Sequence, residues 1–425
     1  MNVVDHRGCE VSGAAPAALE DFERALDAFQ GWREGVEAPL ASALQEAPDF
    51  VMAHVLQAYL FACSRDPRRL ALARPALARA AALPATGRER LHVAAIRALL
   101  EKDDFDGARA TLGELLRCEP RDALALQAAH SLDYVSGDAR CMSERVAAVL
   151  PAWSQALPGY HTVLAMHAFA LEENGRYAEA EASARAALAI DPLDARAHHV
   201  MAHVFEMTDR AEAGERWLAE HVEGWADDTV VATHCWWHRG LFQLALGRPE
   251  RALDIYHHHV RADRSEAIAD LIDASALLWR IDLAGCDTHG RWLELADAWA
   301  PRIEDGFCSF NDVHAMLAFV GARDRERVDR LLRSLRAAYS RSSRHGTTTR
   351  LLGLAACRAL AAYGRGDDML AVTLLASLPA HAHRLGGSHA QRDVLHLTMQ
   401  SAVARLRRAK GWTMGTPAAA ETSVA

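Results

Sequence analysis

Of the 22 histidines in this 425-residue chain, four combine a ligand type with a telling spacing. His199 and His203 are four residues apart and Glu206 follows three later, so on a helix all three share one face within about 60 degrees. His234 and His238 repeat the spacing 35 residues further on. Neutral imidazole and carboxylate are common ligands of zinc, iron and other borderline divalent metals, and two histidines at i, i+4 can hold one ion. The same groups suit metal-free acid/base catalysis, because the imidazole proton moves near neutrality. They equally suit packing and hydrogen bonding where helices cross.

Other polar groups are weaker candidates. His257, His258 and His259 read as a solvated helix end, where the dipole favours cations. Trp217, Trp225, Trp236 and Trp237 either wall a pocket beside the histidines or fill inter-helix core. Asp273 and Arg280 are at i, i+7; Asn311, Asp312 and His314 form a polar run. Gly386-Gly387-Ser388 precedes Gln391, Arg392 and Asp393, a turn that presents N–H groups to an anion or simply caps a helix. No dinucleotide, phosphate-loop, nucleophile-elbow or HExxH motif is present.

The elements that must position these residues are helices. Strong helix formers dominate, and no stretch sustains period-two alternation. Prolines at 48, 84, 120, 158 and 192 are spaced by 34 to 38 residues. Midway lie turn-like spots at Ser64–Asp66, Asp103-Asp104, Ser136–Asp138, Asn174–Arg176, Asp209 and Gly247–Pro249. This is the signature of helical hairpins in series. Gly159 to Asp194 follows the residue order of a tetratricopeptide repeat. The expected fold is all-α, an α-solenoid of TPR-like hairpins curving around a concave inner face. It comprises a flexible N-terminus (1–15), one continuous repeat domain (16–412) and a disordered tail (413–425). Arg341–Gly346 is expected to be a loop, and seven further helices are expected between Glu266 and Lys410. Histidines one repeat apart then face the same side, so the four imidazoles and Glu206 converge on one patch.

Composition narrows the function classes. Hydrophobic residues make up 51% of the chain and charged residues 24%, with a net charge of -9, which excludes disorder and weighs against a nucleic-acid-binding face. Of the 47 basic residues only Lys102 and Lys410 are lysine, a bias consistent with GC-rich coding. No run is long and apolar enough to span a membrane and no secretory signal is seen, so a cytoplasmic location is expected. The eight cysteines are scattered without a Cys-x-x-Cys pair, which argues against a disulfide frame or thiolate zinc site.

At several of these segments the sequence resembles the tetratricopeptide repeat protein 38 (StaR-like) family. The matching stretches are His199–His203 with Glu206-Met207, His234 with Trp237-His238, Gly247 with Ala252-Leu253 and Tyr256, Phe310–Asp312 with His314, and Leu385–Ser388 with Gln391–Asp393. The resemblance implies helical hairpins and, through some bacterial relatives, a link to natural-product biosynthesis; the family's biochemical role is poorly defined. Its signature falls on polar residues, which favours a ligand or reactive site. Two readings follow. In one, a small-molecule enzyme or accessory protein holds a divalent metal, zinc or iron, on His199, His203, His234 and His238. Glu206 is then ligand or base, and Arg392, Asp312 and His314 orient a small polar substrate. In the other, the groove is a scaffold for a peptide or partner protein. Neither involves nucleic acid or membrane.

Overall fold

The computed structural model describes residues 3–64 and 66–409; the tail expected to be disordered, 413–425, lies outside them. Two short strands, β1 (Val3–Val4) and β2 (Glu10–Val11), pair antiparallel, Val3 opposite Val11. All else of regular structure is helical. First come α1 (Pro16–Gln30) and α2 (Glu37–Glu46), then α3 (Val51–Ala62) with α4 (Pro67–Ala82), α5 (Gly87–Lys102) with α6 (Phe105–Cys118), α7 (Ala123–Ser136) with α8 (Ala139–Val149), and α9 (Tyr160–Glu172) with α10 (Tyr177–Ile190). Next are α11 (Ala195–Met207) with α12 (Ala211–Glu220), the short α13 (Val222–Trp225), and α14 (Ala232–Ala245) with α15 (Pro249–Ile255). The last third holds α16 (Ile268–Leu283) with α17 (His289–Trp299), α18 (Ser309–Gly321) with α19 (Arg325–Tyr339), α20 (Arg344–Thr348), α21 (Leu354–Gly364) with α22 (Asp368–Leu375), and α23 (His389–Ala409).

The turns and breaks fall where the proline and aspartate spacing places them, for a local reason. Asp66, Asp104 and Asp138 cap the second helix of a hairpin, and Asp122 and Asp194, two residues after Pro120 and Pro192, cap the first helix of the next. In each, the carboxylate accepts from a backbone N–H left unpaired at the helix start. Small residues such as Ala128, Ala168, Ala202 and Ala276, all fully buried, let the helices approach closely. The buried side chains form three main clusters along the array, as expected when each repeat buries its face against its neighbours.

Two expectations change. The leader expected to be flexible is a hairpin held by buried charge. Asp5 accepts from the N–H groups of Arg7 and Cys9 (3.0 and 2.9 Å), Asp5 lies 3.6 Å from Arg88, and Arg7 pairs with Glu23. In the segment expected to be a loop, Ser343 accepts from Gly346 N–H and starts α20 at Arg344. From there a π-turn over Thr349–Gly353 leads directly into α21.

The solenoid also closes on itself. The α3–α4 turn meets the segment after α17, where Arg302 binds Asp66 (2.9 Å) and Arg68 donates to Pro301 O (2.9 Å). The α5–α6 turn meets α20, Asp103 accepting from Arg344 N–H (2.9 Å). At the α7–α8 turn Gly137 adopts φ +69°, and a Cβ there would lie 1.8 Å from His383 O, so the close approach requires glycine. No helix among the described residues is long and apolar enough to cross a membrane, and all eight cysteines are unpaired.

Candidate metal centre

The Asp194 cap starts α11 so that His199 and His203 project from one face, toward the His234/His238 face of α14. Around the ring quadrilateral the centroid separations are 4.5 Å (His199 to His203), 4.5 Å (His203 to His238), 4.8 Å (His238 to His234) and 5.0 Å (His234 to His199). The diagonals, 5.6 and 6.2 Å, exceed the edges only modestly, so the rings form a puckered quadrilateral and surround a common centre. One nitrogen from each lies within 4.8 Å of the other three. Bonds of about 2.0–2.1 Å to one zinc ion place ligand nitrogens at most about 4.2 Å apart, so the cluster is a near fit.

Carboxylates stand behind three of the rings. His238 Nδ1 is 2.9 Å from Glu206 Oε2, His234 Nδ1 is 2.9 Å from Asp273 Oδ2, and His203 Nδ1 is 3.6 Å from Glu172 Oε2. A ring whose Nδ1–H donates to a carboxylate keeps the Nε2 lone pair free for a metal, and the carboxylate raises the basicity of that nitrogen. Asp273 accepts in turn from Gln391 Nε2 (3.4 Å), and Gln391 Oε1 accepts from Tyr134 and from Ser388 N–H. The α23 helix, more than a hundred residues away in sequence, thus reaches the carboxylate behind His234.

Burial controls the protonation states. His199, His203 and His238 are buried, and desolvation, reinforced for each by neighbouring histidines, holds them well below the ordinary range. They are neutral at physiological pH, the form that binds metals. Desolvation pushes the Glu206 carboxyl up to about 7 and the Glu173 carboxyl to about 7, against the pull of Arg280 and Arg392 respectively, and Glu172 well above its usual value.

Aromatic rings roof the tetrad. Trp237 stacks on His234 (5.0 Å, 11°), Phe169 lies 5.6 Å from His199 and 5.5 Å from His203, and Trp32 lies 5.5 Å from His199. Trp32 arrives from the α1–α2 loop, which is tied down by Val230 N–H to Trp32 O (3.0 Å) and by the Arg196 guanidinium 4.1 Å over its ring. Its φ of +58° is an uncommon conformation for so large a side chain. On the opposite side Glu206, half-buried, reaches the wall of an open groove of about 1480 Å³, shared with Arg280, His389, Arg392 and Asp393.

The structure therefore brings together His199, His203, His234, His238 and Glu206. It pairs the other predicted residues differently. Asp312 binds His345 of α20 (2.8 Å), Arg392 bonds Gly387 O and lies 3.8 Å from Glu173, and His314 donates to Phe310 O (2.8 Å) within its own helix. The tryptophans divide: Trp225 and Trp237 are fully buried core, and Trp236 stacks on His259 at 3.4 Å. His257–His259 are exposed at a helix end, as their sequence context suggests. Sequence reading missed Trp32, Phe169, Tyr134 and the Glu172-Glu173 pair. Two glutamates before Asn174-Gly175 look like a solvated helix end, and nothing local marks them as buried.

No family model matches the chain. Among solved structures it is similar to the crystal structure of the P58(IPK) TPR domain, at 15% identity over 92% of this chain and 98% of that one, with a TM-score of 0.22.

Proposed function

We propose that this is a helical-repeat protein that holds a divalent transition metal, zinc or iron, on His199, His203, His234 and His238. The observation that carries this reading is the tetrad itself: four mutually contacting imidazoles whose nitrogens converge within 4.8 Å. His199 Nδ1, His203 Nδ1 and His238 Nε2 are buried without a hydrogen-bond partner; so are ring nitrogens of His54, His198 and His345 elsewhere, and what sets the tetrad apart is the convergence of four rings. A metal there supplies Lewis-acid polarisation of a bound oxygen. In the catalytic form of the reading Glu206 acts as base and Arg392 orients a small polar substrate in the groove; Asp312 and His314 are the further candidates. Elemental analysis of the purified protein beside a His199→Ala/His238→Ala variant tests it. At least one equivalent in the wild type and a loss of about one in the variant is expected; equal, near-zero metal in both ends the metal reading.

The second reading is a protein-interaction scaffold. Its support is the open groove along α12, α14, α16 and α23 and the helical-repeat fold, which by itself favours docking over catalysis. One stoichiometric partner in a pull-down, still bound by the double variant, would select this reading. Membership of the tetratricopeptide repeat protein 38 family belongs with the first reading. It draws support from the coincidence of the family's polar positions, His199, His203, Glu206, His234, His238 and Gln391, with one connected network. A role in natural-product biosynthesis and a cytoplasmic location complete the proposal.

A further inference from the structure

We infer that Glu172, Glu173 and His203 form a second cation site beside the tetrad, with His203 the residue shared between the two; this rests on the tetrad binding a metal. Glu172 closes α9 and is fully buried, yet both of its carboxylate oxygens lack a hydrogen-bond partner. Burial favours the protonated acid there, yet a buried carboxyl without a hydrogen-bond partner is still costly, a cost that a bound cation would relieve. The nearest basic side chains are engaged one residue away, His389 at 3.4 Å and Arg392 at 3.8 Å from Glu173 Oε2. An oxygen from each glutamate and a ring nitrogen of His203 lie within 4.8 Å of one another.

The two ring nitrogens of His203 face different clusters. Nε2 is 3.0 Å from His199 Nε2, on the tetrad side, and Nδ1 is 3.6 Å from Glu172 Oε2. A separation of 3.6 Å is too long for a hydrogen bond. It is close to the spacing of two adjacent ligands around one ion with bonds of about 2.0–2.2 Å. With an ion on each side His203 is a bridging imidazolate. Its Nδ1 proton and any proton on the two carboxyls leave to solvent as the second ion binds, and the two carboxylates balance that ion's charge. Mixed carboxylate and imidazole donors suit zinc, manganese or iron.

The test is equilibrium dialysis of the chelator-stripped full-length chain against Zn²⁺, counting zinc per chain in the wild type and in the isosteric Glu172→Gln variant. Two zinc ions in the wild type and one in the variant are expected. One in the wild type overturns the second site and leaves the tetrad standing; none overturns both. Two in the wild type with no loss in the variant places the extra ion elsewhere, for instance on exposed His257–His259, and overturns the assignment. Should circular dichroism show that Glu172→Gln does not fold, Glu173→Gln takes its place with the same expected drop from two to one, and retention of two ions overturns the assignment equally.

Discussion

His199 Nε2 and His203 Nε2 lie 3.0 Å apart inside the protein, so at most one of the two facing nitrogens carries a proton. The pair is one turn apart on α11, and the i, i+4 spacing alone brings the rings together. What makes the arrangement a candidate metal centre is that α14 presents a second such pair against it, and that burial keeps His199, His203 and His238 neutral.

The carboxylates behind the rings fix which nitrogen faces the centre. Glu206→Gln and Asp273→Asn are each expected to weaken metal binding by about 10- to 100-fold without removing a ligand. Competition with a chromophoric chelator measures this. Unchanged affinity in both variants would show that His238 and His234 are oriented by packing alone.

Trp32 closes the tetrad from a loop in left-handed backbone conformation. Trp32→Ala is expected to release bound metal to a chelator faster than the wild type does, in a stopped-flow assay. Of two truncations at this position, Trp32→Gly is expected to be more stable than Trp32→Ala by about 1 kcal/mol in urea unfolding, because only glycine adopts φ +58° without cost.

Burial lowers the His130 imidazole from the ordinary 6.5 to about 3, with the Arg196 charge adding to the effect. Between those values the unfolded chain binds a proton that the folded chain refuses, so His130 costs stability progressively as pH falls below about 6.5. His130→Gln is therefore expected to gain on the wild type by about 2 kcal/mol between pH 7 and pH 5. Urea midpoints at the two pH values check this; parallel changes in the two proteins would contradict it.

Asp122 joins two repeats. It accepts from Arg88 Nε at 2.6 Å and lies 2.9 Å from His92 Nε2, and its other oxygen caps α7 through Ala125 N–H. Asp122→Ala leaves the Arg88 charge buried with Glu10 O at 3.0 Å and, among carboxylates, only the more distant Asp5. A loss of about 3–5 kcal/mol is expected in denaturant unfolding, and a loss under 1 kcal/mol would mean that Asp5 takes over as partner.

The hairpins, most of their turns and the register of the histidine pairs were legible in the residues alone. These are local matters: helix propensity, a proline or aspartate at each turn, and a repeat of nearly constant length that stacks equivalent positions such as His199 and His234. Glu206 was legible for the same reason, since helix periodicity puts it on the His199 face. Packing between distant segments sets the rest: the N-terminal residues fold back as a hairpin, Trp32 roofs the tetrad, Gln391 of α23 holds Asp273, and Asp312 pairs with His345. It also buries Glu172, at what reads as a solvated helix end, beside His203. Each of these depends on which segments the closing solenoid brings together across tens to hundreds of residues. Burial and pairing at such contacts are set by the packing of both partners and leave no periodic trace in either one.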